Sequence, residues 1–224
     1  MRTRRASAFT LVELLVVVAL IAAVAIAMIG AAGGGRRSVA LETAQGTVSN
    51  AVALARTRAI ANGSTVRLLV HNSEQSPLAH ERYRRFIVLA EEAEGDWRAI
   101  DGFRLTDGVY LLPYRTRVPA GMFAVLAEWR TANNQQVLGS SALANVPMEF
   151  RYDSEFVEDW EWLAFTPRGT VDGAGSLIVA TGRERGPSVE GASSPVELTE
   201  PGNVRGVMLS NYGVPRLLSD RSGF

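Results

Sequence analysis

Apolar and polar positions divide the chain into three regimes. From Phe9 to Ala32, Thr10 and Glu13 are the only residues that are neither apolar nor glycine. A helix rises about 1.5 Å per residue, so roughly 20 such residues cover a hydrocarbon core of about 30 Å. The pattern predicts a transmembrane helix over residues 9–32. Gly33, Gly34 and Gly35 follow. Each disfavours a helix by about 1 kcal/mol relative to Ala, which predicts a weakened or interrupted joint over 33–37. Apolar residues then recur at three- and four-residue steps: Leu41, Ala44, Val48, Ala51, Val52, Ala55 and Ala59. That single stripe predicts an amphipathic stem helix over 38–62, with Gln45, Asn50, Arg56 and Arg58 off the stripe and Asn62-Gly63 as its stop.

Beyond Gly63 the spacing changes to short β-rich runs bounded by Gly, Pro, Asn or Asp. They lie at 65–71, 82–91, 108–114, 148–153, 162–169, 176–182 and 206–218. The last reads as a hairpin turning at Asn211-Tyr212-Gly213. Segment 115–145 fits helix or strand. Segment 183–203, rich in Gly, Ser, Pro and Glu, reads as a surface loop. The expected class is α+β: a long N-terminal helix and a β-rich globular domain over 63–224.

Composition narrows the chemistry. Formal charge is zero, with 23 basic residues against 23 acidic. Setting aside Arg2, Arg4 and Arg5 ahead of the apolar run leaves 20 against 23, so the rest of the chain has no overall electrostatic footprint for nucleic acid. There is no Cys, which removes disulfides, thiolate metal sites and cysteine nucleophiles. His71 and His80 lie in a polar stretch without metal-ligand spacing and read as surface or loop histidines. "DSEFVEDWEW" at 153–162 offers carboxylates for Ca²⁺, but its spacing matches no EF-hand, and it reads as a solvated acidic loop. "GAAGGG" follows no strand, so a phosphate-binding reading is poor. No nucleophile–base–orienter set stands out, no cofactor or metal is implied, and the chain does not read as an enzyme.

Glu13 is the anomaly. A carboxylate inside a bilayer costs several kcal/mol unless paired, so a role is the default expectation. A secretory signal with "AIA" at 25–27 as its cleavage site would have too long an apolar run and an unexpected acid. An ordinary signal anchor fits the length and leaves Glu13 unexplained.

The stretch Ala8 to Val17, "AFTLVELLVV", resembles the signal of type IV pilins and type II secretion pseudopilins. The resemblance implies cleavage between Ala8 and Phe9 by prepilin peptidase at the cytoplasmic side of the inner membrane. Leader 1–8 would be removed and Phe9 N-methylated. Ala8 stands where the family usually has Gly. In the family the acid matching Glu13 neutralises the N-terminal amine of a neighbouring subunit during filament growth. "LARTRAIANGSTVRLLV", "LAFTPRGTVDG" and "VMLSNYGVPRL" further resemble H-type minor pseudopilins and the related T-type minor pilins. That likeness implies a lollipop-like fold with two small sheets packed on the second half of the helix. It implies other pilins or pseudopilins and an inner-membrane assembly platform as partners, and a periplasmic C-terminal domain. Its T-type branch raises an alternative, DNA capture at a pilus tip, with Arg216 and Arg221 as the cations. Two arginines beside Asp220 in an acidic domain are thin support for nucleic acid.

Overall fold

The computed structural model describes residues 11–131, 136–153, 156–185 and 194–223; for residues 25–34 only the backbone is described. It divides into two compact units, Met1–Val39 and Ala40–Phe224. Helix α1 runs from Leu11 to Asn62 without interruption. The joint expected at 33–37 is therefore not a break in the backbone. Glycine raises the cost of a helical turn by an amount that good helix formers on both sides can offset.

Within Ala40–Phe224 the predicted stripe is buried: Leu41, Ala44, Ala51, Val52, Ala55 and Ala59 are fully covered and Val48 is 1% exposed. Small residues dominate the stripe, which brings the helix backbone close to the sheets. Gln45, expected off the stripe, is instead buried. Its amide nitrogen donates to the Gly206 carbonyl at 2.7 Å and to that of Leu218 at 2.8 Å, so a polar group serves a buried position by satisfying two strand carbonyls. Gly63 ends α1 in the left-handed region, φ +65°, as the Asn-Gly stop implies.

The first sheet orders its strands β3-β2-β1-β6-β5, all antiparallel: β1 Val66–His71, β2 Phe86–Ala93, β3 Asp96–Arg104, β5 Met148–Phe150 and β6 Glu158–Phe165. The second orders β10-β9-β7-β4, with β8 pairing β7: β4 Val109–Leu111, β7 Gly175–Glu184, β8 Val196–Leu198, β9 Val204–Leu209 and β10 Pro215–Leu218. The helix stripe shares one core with Val66, Leu68, Val70, Leu163 and Phe165 of the first sheet and Leu177, Val179, Val207 and Leu209 of the second. The α+β class is as expected, and the sheets are antiparallel.

Several boundaries move. The run at 82–91 becomes a strand only at Phe86, because Ala79–Arg82 form a short helix (α2) and Arg84 takes φ +57°. The segment predicted at 162–169 begins earlier, at Glu158, and ends in a turn in which the Gly169 N–H donates to the Thr166 carbonyl at 2.8 Å. The C-terminal hairpin turns where predicted: the Gly213 N–H donates to Ser210 O at 2.8 Å, and a Cβ at Gly213 would lie 2.8 Å from the Gly169 carbonyl oxygen. Segment 183–203 is not all loop, since β7 reaches Glu184 and β8 pairs with it. Segment 115–145 contributes a short 3₁₀ turn, Leu126–Trp129. Strand β3 has no counterpart among the predicted runs. It follows a tight turn through Glu94 (φ +54°) and Gly95 (φ +85°).

Candidate functional site

The described start of α1 is apolar on every side. Leu11, Val12, Leu14, Leu15, Val16, Val17, Val18, Leu20, Ile21 and Val24 are between 46% and 80% exposed, with Glu13 in the first turn. At 100° per residue these positions circle the helix, so no single flank is reserved for a core. Ala8 and Phe9 lie outside the described residues, as do Thr10 and the side chains of 25–34. Among the described residues no helix is long and apolar enough to cross a membrane; of the predicted span 9–32, residues 9 and 10 lie outside the described residues and 25–32 are described by backbone alone.

A second polar constellation lies in the globular unit, and the sequence reading missed it. His71 ends β1 fully buried, not on the surface; Trp160 meets its ring edge-on at 5.1 Å between centroids. Its Nε2 lies 3.1 Å from Glu158 Oε1, which also accepts from Ser76 Oγ at 2.5 Å, while Arg82 lies 3.7 Å from Glu158 Oε2. Burial lowers the His71 pKa, against the opposing pull of Glu158. The acid-rich stretch is only in part a solvated loop. Asp153 and Asp159 are exposed, whereas Glu158 and Glu161 are drawn into β6 and buried.

Glu161 pairs with Arg84 at 2.6 Å, both side chains fully buried. Burial is the largest single influence and opposes the Arg84 charge, but Glu161 and Tyr83 together outweigh it and raise the pKa. Arg84 also bonds the Asn72 side chain, and its carbonyl accepts from the Leu111 N–H at 2.8 Å. Glu161 accepts from the Tyr114 N–H at 3.1 Å. The pair therefore ties β1 and β6 of the first sheet to β4 of the second. Alternation along β6 disguises this, because a Glu between two tryptophans reads as solvent-facing.

Glu74, Ser76, Glu158 and Asp159 line part of a polar cleft of about 600 Å³, and burial raises the Glu74 pKa. Among the described residues no group of three or more His, Asp or Glu could hold a metal ion. Ser76 and His71 both address the same Glu158 oxygen. The serine proton is thus directed at the carboxylate rather than at the imidazole.

Arg216 lies exposed on β10. Arg221 spends its guanidinium on carbonyls, that of Pro201 at 3.2 Å and that of Arg130 at 2.5 Å.

Residues 3–33 match the family model described as the prokaryotic N-terminal methylation motif. The chain thus carries the N-terminal motif that its likeness to type IV pilin-like proteins suggested. No curated protein sequence matches it. Solved structures similar to it include the type IV minor pilin FimU of Pseudomonas aeruginosa, at 14% identity and a TM-score of 0.38 over 82% of this chain and 90% of that one. The minor pseudopilin EpsH of the Vibrio cholerae type 2 secretion system is similar at 14% identity and a TM-score of 0.40, over 80% and 96%. A second EpsH structure gives 13% and 0.39, over 81% and 96%.

Proposed function

We propose that the chain is a minor pseudopilin, a non-enzymatic structural subunit of a type II secretion or type IV pilus-like filament. The observation that carries this reading is the methylation motif over residues 3–33, with Glu13 inside its apolar run. In the proposal, prepilin peptidase cuts between Ala8 and Phe9 at the cytoplasmic face of the inner membrane and methylates Phe9. Segment 9–32 holds the subunit in the membrane, and the domain from residue 63 lies in the periplasm. An assembly platform then draws the subunit into a filament with other pilins or pseudopilins.

Cleavage creates an α-amino group about one helical turn from Glu13. Opposite charges attract far more strongly in a low-dielectric layer than in water, and a buried carboxylate without a partner is heavily penalised. Glu13 therefore favours the assembled state, where a neighbouring subunit's Phe9 amine can reach it. The exposed apolar side chains of Leu11–Val24 support the same reading, because a helix apolar all round requires lipid or other helices.

Mass spectrometry of the mature N-terminus tests processing. N-methylated Phe9 is expected; an intact Met1, or cleavage after Ala27, overturns the proposal. Glu13→Ala tests assembly. The variant should be cleaved normally yet fail to enter filaments, and normal incorporation refutes the pairing role.

A further inference from the structure

Helix α1 hands over to β1 through Asn62, Gly63 and Ser64, and Asn62 is the one asparagine of the sequence that a glycine follows. An asparagine amide has a nucleophile within its own chain, the backbone nitrogen of the next residue. A side chain on that residue crowds the approach, and glycine has none. Space around Gly63 is open besides, since a Cβ built there would meet nothing within 4 Å. Asn62 is itself exposed. Asn211 is exposed as well, at the C-terminal hairpin, but a tyrosine follows it.

One carboxylate holds the Asn62 amide in place. Glu91 stands opposite Val66 in the β1–β2 register and reaches back over the turn. Its Oε1 accepts from Asn62 Nδ2 at 2.8 Å and also from the Ser64 hydroxyl. The bonds from Ser64 and Asn62 hold Glu91 below the ordinary carboxylate range, so the acceptor is an anion at neutral pH. Attack by the Gly63 nitrogen requires the amide to swing away from Glu91 and the Asn62 backbone to leave its helical conformation. Both follow when the last turn of α1 opens, and helix ends are where a fold opens most readily.

We infer that Asn62 is a site of deamidation and that Glu91 is its gate. The Gly63 nitrogen bonds to Asn62 Cγ, the Cγ–Nδ2 bond breaks, and Nδ2 leaves as ammonia with the proton that Gly63 gives up. Water then opens the cyclic imide at either carbonyl, leaving an aspartate or an isoaspartate. Water is the only co-reactant, and no electrons change hands. The product opposes the fold. A carboxylate replaces the amide that donates to Glu91, so a hydrogen bond becomes a like-charge contact. The same charge sits at the negative end of the α1 dipole, where the last turn holds no basic residue. The isoaspartate form also adds a methylene to the main chain between helix and sheet. Conversion accumulates with time, so the joint between α1 and β1 loosens first in the oldest chains. None of this depends on the processing or assembly proposed for the N-terminus.

The test incubates the full chain in nonionic detergent at mildly alkaline pH and follows each asparagine by peptide mass spectrometry. An isoaspartate methyltransferase marks the isomer. The folded chain should convert at Asn62 and keep the Asn211 amide, and a guanidinium-unfolded sample should convert faster at Asn62. Glu91→Ala, checked as folded by its melt, should convert about tenfold faster than wild type, as loss of a charge-assisted hydrogen bond implies. Glu91→Gln keeps an oxygen acceptor without the charge and should fall between the two. Asn62→Asp should melt below wild type. A folded chain that keeps the Asn62 amide while the unfolded sample loses it overturns the inference. So does conversion of Asn211 at the same rate, or a Glu91→Ala variant no faster than wild type. An Asn62→Asp variant as stable as wild type overturns the effect on the joint.

Discussion

One helix, α1, contains two stretches of similar chemistry and opposite circumstance. Between Leu11 and Val24 apolar residues occupy nearly every position, and Leu14 and Leu15 remain 62% and 63% exposed. Between Leu41 and Ala59 they occupy every third or fourth position, and the same kind of side chain is covered completely. Covering a leucine is worth about 1.5–3 kcal/mol. The second stretch realises that gain within its own domain, whereas the first leaves it to an environment outside the globular unit. Spacing decides which. A stripe matches one pair of sheets, but an all-round apolar surface matches only something that surrounds it.

The sharpest way to break this comparison is to place a charge in each stretch. Ala55→Arg buries a cation with no partner against two sheets and should cost several kcal/mol, enough to prevent folding of the globular unit, as read by loss of a cooperative melt. Leu15→Arg should leave that melt within about 0.5 kcal/mol of wild type. It should instead reduce membrane association, since an arginine in a spanning helix costs about 2.5–3.5 kcal/mol on insertion scales. Equal destabilisation by both variants would show that the first stretch is also completed within the fold.

Next in size is the ionic seam between the sheets. Glu161→Gln leaves Arg84 fully buried with its charge uncompensated, and should lower stability by about 3–5 kcal/mol in urea unfolding. The double variant Arg84→Met/Glu161→Leu should recover much of that loss, because it removes both charges from the interior. A double variant no better than the single would assign the cost to lost shape rather than to charge.

The two stretches of α1 were legible in the sequence because helical periodicity is local. Residues 41–59 carry their own evidence, and so does Glu13 in its apolar run. Strand β3 was not legible. Asp96, Asp101 and Gly102 have low β propensity, and with Arg98 and Arg104 they are tolerated because β3 is an edge strand whose charges face water. His71 and Glu158 were read as solvated from polar neighbours in sequence, yet burial there is set by Trp160 and by the β1–β6 pairing across 87 residues.

A smaller effect should follow Gln45→Ala, a polar substitution on the helix's buried side. Two strand carbonyls, of Gly206 and Leu218, lose their side-chain donor, and a loss of about 1–3 kcal/mol is expected from thermal or chemical melts. Asn50→Ala, at an exposed position of the same helix, should change stability by less than about 0.5 kcal/mol. If the two cost the same, Gln45 would be packing filler, and the distinction between stripe and flank would lose its polar exception.

The smallest effect is a slope in pH, and it tests whether the buried histidine behaves as its surroundings require. His71 faces Glu158, Arg82 and Arg84, with Ser76 on the shared carboxylate and Trp160 across its ring. Burial, the largest influence, lowers its folded pKa below the ordinary value of 6.5, so the folded state holds the neutral imidazole more firmly than the unfolded chain does. The resulting contribution is fully present above pH 6.5. It is lost as pH falls from there towards the folded pKa, at up to about 1.4 kcal/mol per unit, because the unfolded chain takes up the proton first. Glu74 acts in the opposite sense: its raised pKa favours the folded state below the ordinary carboxylate value of 4.5 and loses that contribution as pH rises through the folded pKa. The histidine's part is therefore isolated by difference. Urea unfolding of wild type and His71→Gln between pH 7.5 and 5.5 should show a wild-type decline that the variant lacks, with Glu74 cancelling between them. Parallel declines would place the proton elsewhere and leave His71 as a packing group whose charge state the fold does not control.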